Sequence, residues 1–217
     1  MMRPSTLLFA TALAFSPFAA LAESAVTIPP PAAETSPQST GLETAVLAGG
    51  CFWGIQAVYQ HVKGVTNAVS GYAGGAQKDA TYDVVSSGRT SHAESVRVTF
   101  NPREISYGKI LQIYFAVAHD PTQLNRQGPD SGPQYRSEIF PQNEAQQKVA
   151  QDYIAQLDKT GVYKRPIVTK TNTMKVPFYA AEGYHQDYFA KNPDAGYCQF
   201  VIAPKVKKLE QHLPAAK

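Results

Sequence analysis

The sequence predicts an α+β fold, a two-layer sandwich in which helices pack on one face of a mixed sheet, with long irregular loops and a C-terminal tail. Apolar residues alternate along residues 93–100, which indicates a strand, and recur at helical spacing along residues 107–117, which indicates a helix. The strands predicted at residues 64–72 and 93–100 follow one another without a long helix between them. A mixed sheet is therefore favoured over a purely alternating parallel one.

The remaining elements are predicted from periodicity and from turn residues. The predicted strands cover residues 44–48, 64–72, 93–100, 135–140 and 166–171. The predicted helices cover residues 55–62, 107–117, about 141–157 and 181–190. Ser106 is a typical first residue of a helix, and the His119-Asp120-Pro121 run ends that helix. Residues 81–85 are irregular or form one helical turn, residues 123–134 form a long polar loop, and the tail from Asp194 shows little regular pattern.

The amino terminus differs in composition from the rest of the chain. Arg3, the apolar run from Leu7 to Phe15 and the small residues at 20–22 match an export signal cleaved after about Ala22, so we expect a periplasmic protein. An apolar tail or a retained anchor are the alternatives. Residues 23–41 are rich in proline and are expected to form a disordered tether. Residues 42–217 are long enough for one catalytic domain, with a mobile tail from about residue 194. The net charge of +3 has no dense basic block that would argue for nucleic acid binding.

The stretch from Gly49 to Gly54 is the first candidate site, because it holds one of the two cysteines and the single tryptophan. Cys51 follows a predicted strand and precedes a predicted helix, so it lies where unpaired backbone N–H groups and the helix dipole favour a thiolate. Of the two aromatic residues after it, Phe52 and Trp53, at least one is expected to line an apolar pocket. A buried structural cysteine beside a core aromatic pair is the alternative.

A disulfide between Cys51 and Cys198 is the simplest use of two cysteines in an exported chain. A permanent bond would act as a structural staple and would leave Cys51 without a nucleophilic role. The question that the sequence raises is therefore whether such a bond forms and breaks during a reaction.

Several polar residues are candidate partners of Cys51. Glu94 shares a face of its strand with the apolar Val96 and Val98, and a buried carboxyl group there would have a raised pKa and could donate a proton. An exposed position at the sheet edge is equally compatible with the pattern. Tyr82, Tyr135 and Asp130 are further candidates, although a core tyrosine and a solvated turn aspartate are the ordinary interpretations. The spacing selects none of His92, His119 and His185 as a base for a Cys–His hydrolase.

Other chemistries find no support in the sequence. Two cysteines without a His-x-x-x-His spacing do not form a structural zinc site. The glycines at residues 71–75 are followed by polar and charged residues, so they do not form a dinucleotide or phosphate loop.

An ordered set of motifs resembles the A-type peptide-methionine sulfoxide reductases. The motifs are Gly50-Cys51-Phe52-Trp53-Gly54, Gly71-Tyr72-Ala73-Gly74-Gly75, the run 87–94 ending in His92-Ala93-Glu94, His119-Asp120-Pro121-Thr122, the run 127–137 and Tyr184-His185-Gln186. Together they span about residues 44–198 in the order of the family. Ser91 stands where the family usually has glycine and Pro129 where it often has asparagine, and both substitutions affect loops only.

The resemblance implies an α+β enzyme that reduces methionine S-sulfoxide, in proteins or free, without a metal or organic cofactor. It implies that Phe52 and Trp53 bind the S-methyl group, and that Glu94, helped by Tyr82 and Tyr135, protonates the sulfoxide oxygen. Asp130 would support the polar side of that site.

The resemblance further implies that Cys51 attacks the sulfur and becomes a sulfenic acid, which Cys198 on a loose tail converts to a disulfide. A thioredoxin-like dithiol would then reduce that disulfide.

Two other functions stay open at this point, a two-cysteine thiol peroxidase and a secreted binding protein stapled by a disulfide. We expect a monomer without stable membrane insertion after signal cleavage. In an oxidising compartment, an envelope dithiol would have to supply electrons to the enzyme.

Overall fold

The computed structural model describes residues 27–34, 41–172 and 176–212. The strands are β1 (Glu43–Ala48), β2 (Val65–Ala73), β3 (Ala93–Phe100), β4 (Arg126–Gln127), β5 (Asp130–Ser131), β6 (Glu138–Phe140), β7 (Lys170–Thr171) and β8 (Phe178–Ala180). The helices are α1 (Phe52–Gln60), α2 (Tyr82–Val85), α3 (Tyr107–Ile113), α4 (Glu144–Thr160), α5 (Tyr188–Lys191) and α6 (Ala203–His212). The export signal predicted at residues 1–22 lies outside the described residues.

The main sheet has six strands in the order β7-β6-β1-β3-β2-β8. The β6–β7 pair is parallel and the other four pairs are antiparallel, so the sheet is mixed, as predicted. β1 and β3 pair directly, with Leu47 opposite Val96, and Tyr72 of β2 lies opposite Glu94. The two strands that frame the predicted site are therefore at the centre of the sheet.

The hydrophobic core lies between one face of this sheet and the long helices. Val96, Val98 and Phe100 of β3 point into it and meet apolar residues of α1, α3 and α4, such as Ile55 and Ile110. The alternation that predicted β3 thus marks its core face. The predicted α+β arrangement of a mixed sheet with helices packed on it is confirmed.

Side-chain hydrogen bonds cap the starts of two helices, and a glycine ends one of them. The Ser106 side chain accepts a hydrogen bond from Lys109 N–H before α3, and the Asn143 side chain accepts one from Gln146 N–H before α4. Gly161 ends α4 with a φ of 63°, a conformation that glycine adopts without a steric penalty. After Ile113, α3 continues as a π-helical turn over Tyr114–Ala118.

Residues 27–34 differ from the disordered tether that composition predicted. Ile28 is 6% exposed and packs in the core. The carbonyl groups of Pro29 and Pro30 accept hydrogen bonds from Tyr153 and Gln156 of α4 at 2.7 and 2.9 Å. The part of the tether that the structure describes is therefore a strap on the helical layer, because its backbone finds partners that its composition does not reveal.

The second half of the chain departs most from the sequence prediction. The strand predicted at 135–140 begins only at Glu138, since Tyr135 ends a short 3₁₀ turn. The prediction of one helix over residues 181–190 is wrong. The structure has a 3₁₀ turn at Gly183–His185, followed by the single turn of α5. The tail is also more regular than expected, because a π-helical turn at Cys198–Ile202 leads directly into α6.

Within the described ranges, none of the helices combines the length and the apolar character that a membrane span requires.

Candidate active site

Cys51 lies at the turn between β1 and α1, immediately before the first helical residue. Gly49 and Gly50 form this turn, and Gly50 has a φ of 92°. A Cβ atom on Gly49 would lie 2.8 Å from the His119 ring, and one on Gly50 would lie 2.5 Å from Cβ of Gln127. Both glycines are needed because the turn is packed directly on these two side chains.

Glu94 lies on the core face of β3, 2% exposed, beside the start of α1. Its Oε2 atom accepts a hydrogen bond of 3.0 Å from the backbone N–H of Phe52. Burial raises the pKa of the Glu94 carboxyl group to about 8, against the opposing effect of that hydrogen bond, and the charge of Asp130 adds to the rise. Of the two positions that the sequence allowed, the structure therefore shows the buried one, where the carboxyl group holds a proton at neutral pH.

The Cys51 thiol differs from the thiolate that its helix-terminal position predicted. Burial raises the pKa of the Cys51 thiol well above its usual value, and the charges of Glu94 and Asp130 act in the same direction. A hydrogen bond from the backbone N–H of Trp53 lowers the pKa but does not offset the rise. The N–H group of Phe52, which could have stabilised a thiolate, donates to Glu94 instead. The resting site thus holds a protonated thiol beside a protonated carboxyl group.

The two aromatic residues after Cys51 have different surroundings. Phe52 is 1% exposed and packs on Tyr72 and His185, with ring centroids 5.9 and 5.0 Å away. Trp53 is half-buried, and its indole ring stacks on Tyr188 at 3.7 Å. Its Nε1–H donates a hydrogen bond of 3.1 Å to Nδ1 of His185. Trp53 therefore forms the accessible side of the aromatic cluster, and Phe52 its floor.

Tyr82, Tyr135 and Asp130 reach the same site from three separate segments. All three are half-buried. Burial raises the pKa of the Tyr135 hydroxyl above its usual range, and the charges of Glu94, Asp130 and Cys51 raise it further. Burial likewise raises the pKa of Tyr82, with Glu94 and Cys51 contributing. Both phenols therefore stay protonated and can donate hydrogen bonds toward the space near Glu94.

Asp130 lies in the β4–β5 hairpin, and burial raises the pKa of its carboxyl group. The hydroxyl group of Tyr197 donates a hydrogen bond of 2.5 Å to Asp130, and the charge of Lys205 opposes the effect of burial. The loop predicted at residues 123–134 thus carries a charged group into the site.

Tyr197 is the site residue that the sequence prediction missed. Besides its bond to Asp130, its hydroxyl group interacts with Cys51 and lowers the pKa of that thiol. The next residue, Cys198, is fully buried in a small apolar cluster with Ala57, Ile202 and Val206. Both cysteines are free thiols in this structure.

In the part of the chain that the structure describes, no group of three or more His, Cys, Asp or Glu side chains is arranged to hold a metal ion.

Comparison with known proteins assigns this arrangement to a family. The family model described as "Peptide methionine sulfoxide reductase" matches residues 43–217. The chain belongs to this family. The match begins at the first residue of β1 and includes every candidate site residue described above, from Cys51 to Cys198.

Curated reductases of this family are similar over most of their length. A peptide methionine sulfoxide reductase MsrA 2 of Mesorhizobium japonicum is 58% identical over 175 residues, which are 81% of this chain and 89% of that protein. The MsrA of Deinococcus radiodurans is 51% identical over 170 residues, 78% of this chain and 82% of that protein. This chain is accordingly an oxidoreductase that acts on methionine sulfoxide.

Solved reductase structures share the fold. The reduced form of Mxr1 from Saccharomyces cerevisiae matches with a TM-score of 0.65 and 33% identity, covering 77% of this chain and 93% of that one. Methionine sulfoxide reductase A of Corynebacterium diphtheriae matches with a TM-score of 0.61 and 34% identity, covering 76% and 81%. The methionine sulfoxide reductase fold therefore extends over the sheet and the helices that position Cys51.

Proposed function

We propose that this reductase converts methionine S-sulfoxide, free or in proteins, to methionine through a sulfenic acid on Cys51, and that Cys198 then forms a disulfide with Cys51. The observation that supports it best is the Glu94 carboxyl group, held beside the start of α1 by the Phe52 N–H with a pKa of about 8. A proton donor at neutral pH and a thiol are the two groups that reduction of a sulfoxide needs.

The first step transfers the sulfoxide oxygen to Cys51. Glu94 protonates that oxygen while the sulfur of Cys51 attacks the sulfur of the substrate. The proton of the Cys51 thiol replaces the one that Glu94 gives up, so the step needs no proton from solvent. Methionine leaves, and the oxygen stays on Cys51 as the sulfenic acid. The sulfoxide sulfur gains two electrons and Cys51 loses them.

The substrate is held between an aromatic and a polar side. Trp53 and Phe52 provide apolar surface for the S-methyl group. The protonated hydroxyl groups of Tyr82 and Tyr135 donate hydrogen bonds to the sulfoxide oxygen, and Asp130 orders the polar side. Because methyl group and oxygen are bound by different walls, the site distinguishes the two configurations at sulfur.

Recycling requires a second thiol and an external reductant. Cys198 attacks the sulfenic acid, the S–S bond forms, and water leaves with the proton of the Cys198 thiol. A thioredoxin-like dithiol reduces the disulfide and returns both thiols. Within the sequence Cys198 is the only other thiol that can do this.

A single-turnover experiment tests this function. Reduced protein is mixed with methionine S-sulfoxide without reductant, and methionine and free thiols are counted. We expect one methionine per chain with loss of both thiols, and no methionine from Cys51→Ser. Cys198→Ser should form one methionine and accumulate a sulfenic acid that a 1,3-dione reagent labels. An active Cys51→Ser protein would contradict the proposal, as would faster turnover of hydrogen peroxide than of the sulfoxide.

We further propose export to the periplasm, on the basis of Arg3, the apolar run 7–15 and the small residues before Glu23. Fractionation of cells that express the full chain tests it. Periplasmic protein whose amino terminus is Glu23 would support the proposal, and full-length protein in the cytoplasm would refute it.

A further inference from the structure

Tyr197 lies at the point where the sulfoxide has to bind. Its hydroxyl group donates a hydrogen bond of 2.5 Å to Asp130 and lies close enough to Cys51 to lower the pKa of that thiol, and its ring meets the Trp53 ring edge-on with centroids 5.9 Å apart. In the proposed function, Asp130, Cys51 and Trp53 are the residues that contact the substrate. A sulfoxide sulfur in contact with Cys51 therefore competes with the Tyr197 hydroxyl group for the same space.

Cys198 is shielded in this arrangement and forms no bond with Cys51. It has no exposed surface and packs with Ala57, Ile202 and Val206. The helical backbone at Cys198–Ile202 also holds the thiol in place. Resolution of a sulfenic acid therefore requires the tail to move.

Tyr197 and Cys198 are adjacent in the chain, so a backbone movement that displaces one of the two residues also displaces the other. We propose that Tyr197 is a positioning residue that holds the tail closed while the enzyme is reduced, and that a sulfoxide entering the site displaces its hydroxyl group and releases Cys198. This inference rests on the proposed function. It makes exposure of the resolving thiol a consequence of substrate binding.

The Tyr197 contact fixes the order in which the two thiols react. Before substrate binds, Cys198 is shielded from oxidants and from Cys51. Afterwards its thiol can attack the sulfenic acid, forming the S–S bond and releasing water. Cys51 thus gives two electrons to the sulfoxide, and Cys198 becomes available to reduce the resulting sulfenic acid only during turnover.

The test measures the exposure of Cys198 in a chain that cannot react. In Cys51→Ser, Cys198 is the single thiol, and its alkylation by iodoacetamide is followed with and without N-acetyl-methionine S-sulfoxide. We expect the substrate to raise the alkylation rate about tenfold, the effect of one hydrogen bond to a charged group. Binding is checked by the fluorescence of Trp53. A rate that stays constant while the substrate binds would overturn the proposal.

The second arm adds Tyr197→Phe, which removes only the hydroxyl group. Alkylation of Cys198 should then be about tenfold faster without substrate and should change little when substrate is added. In the chain with both cysteines, the same change should raise the pKa of Cys51, because the Tyr197 hydroxyl group lowers that pKa. The matched control is Tyr163→Phe, which removes a hydroxyl group bonded to the Phe115 carbonyl group and should leave both readouts unchanged.

The two proposals fail in different ways. Lack of methionine in a single turnover of the wild-type chain would refute the proposed function. Normal methionine formation, together with equal Cys198 alkylation in Tyr197→Phe and Tyr163→Phe, would refute only the role of Tyr197.

Discussion

The indole N–H of Trp53 donates a hydrogen bond of 3.1 Å to Nδ1 of His185, across 132 residues of sequence. This bond ties the first turn of α1 to the 3₁₀ turn before α5. Because Nδ1 accepts, the neutral His185 ring carries its proton on Nε2. Burial lowers the pKa of His185, which keeps the ring neutral and the acceptor available. Gln186 holds the turn in place through bonds to Gln56 and to the backbone of Ser70.

Replacing His185 should therefore misplace Trp53. His185→Leu removes the acceptor, and we expect kcat/KM to fall about tenfold, since an unpaired indole N–H costs about 1 kcal/mol or more. His185→Gln retains an acceptor and should lose less. The fluorescence of Trp53, the single tryptophan, reports its surroundings directly. An equal fall in kcat/KM in the two variants would show that the hydrogen-bond acceptor at residue 185 does not determine the activity.

The strap at residues 27–34 should contribute to stability without contributing to the chemistry. Ile28→Ala removes a core side chain, and we expect the free energy of unfolding to fall by about 2 kcal/mol. Pro30→Ala is the matched control, because Pro30 is exposed and its carbonyl group keeps its bond to Gln156. Urea unfolding and single-turnover rates measure both effects. If Ile28→Ala unfolds like Pro30→Ala, the strap does not belong to the folded domain.

Periodicity alone located Cys51 at a strand–helix junction and offered the core face of a strand for Glu94. Tyr135, Asp130 and Cys198 lie on irregular segments, and only the family resemblance distinguished them as site residues. The raised pKa of the Cys51 thiol was missed because periodicity shows neither its burial nor the acidic groups of Glu94 and Asp130 beside it.

The regular structure of the tail was not predicted, for a related reason. α6 and the preceding turn are stabilised by tertiary contacts, such as the bond from Lys205 to the Ala118 carbonyl group, rather than by an obvious pattern. Tyr197 was one of 12 tyrosines, and only its position beside Cys198 could have distinguished it. The strap was missed because one buried isoleucine among prolines does not change the mean composition.

Glu94→Gln should separate proton donation from structure. The amide can still accept the Phe52 N–H but cannot donate an acidic proton, so we expect the single-turnover rate to fall about 10²- to 10⁴-fold at neutral pH. In the wild type, the rate of methionine formation should fall as the pH rises through about 8, where Glu94 loses its proton. A variant with nearly wild-type rates would remove Glu94 from the mechanism.

The same substitution should change how stability depends on pH. The folded pKa of Glu94, about 8, lies above its ordinary value of 4.5, so the native state holds a proton that the unfolded chain releases. The contribution of Glu94 to stability is therefore fully present below pH 4.5 and is lost progressively as the pH rises toward 8. In Glu94→Gln this loss should be absent. Urea unfolding of both proteins across this range measures it, and parallel curves would contradict the buried, protonated carboxyl group.

Gly50→Ala should disrupt the turn that carries Cys51. The new Cβ atom would lie 2.5 Å from Cβ of Gln127, and the φ of 92° disfavours any side chain. We therefore expect the free energy of unfolding to fall by more than about 2 kcal/mol and the single-turnover rate to decrease. Gly161→Ala is the matched control: its φ of 63° is also positive, but no atom lies within 4 Å of the added Cβ, so only the backbone strain of about 1 kcal/mol applies. The difference between the two melting curves measures the clash together with any additional backbone strain at the φ of Gly50.

A double substitution tests whether Gln127 causes that difference. In Gly50→Ala with Gln127→Gly, the side-chain atoms that meet the new Cβ are gone, so the two destabilisations should not add and part of the loss should be recovered. Strict additivity would assign the whole effect to backbone strain at Gly50. Recovery would assign that part of the loss to the close contact between this turn and the β4–β5 hairpin, which also carries Asp130.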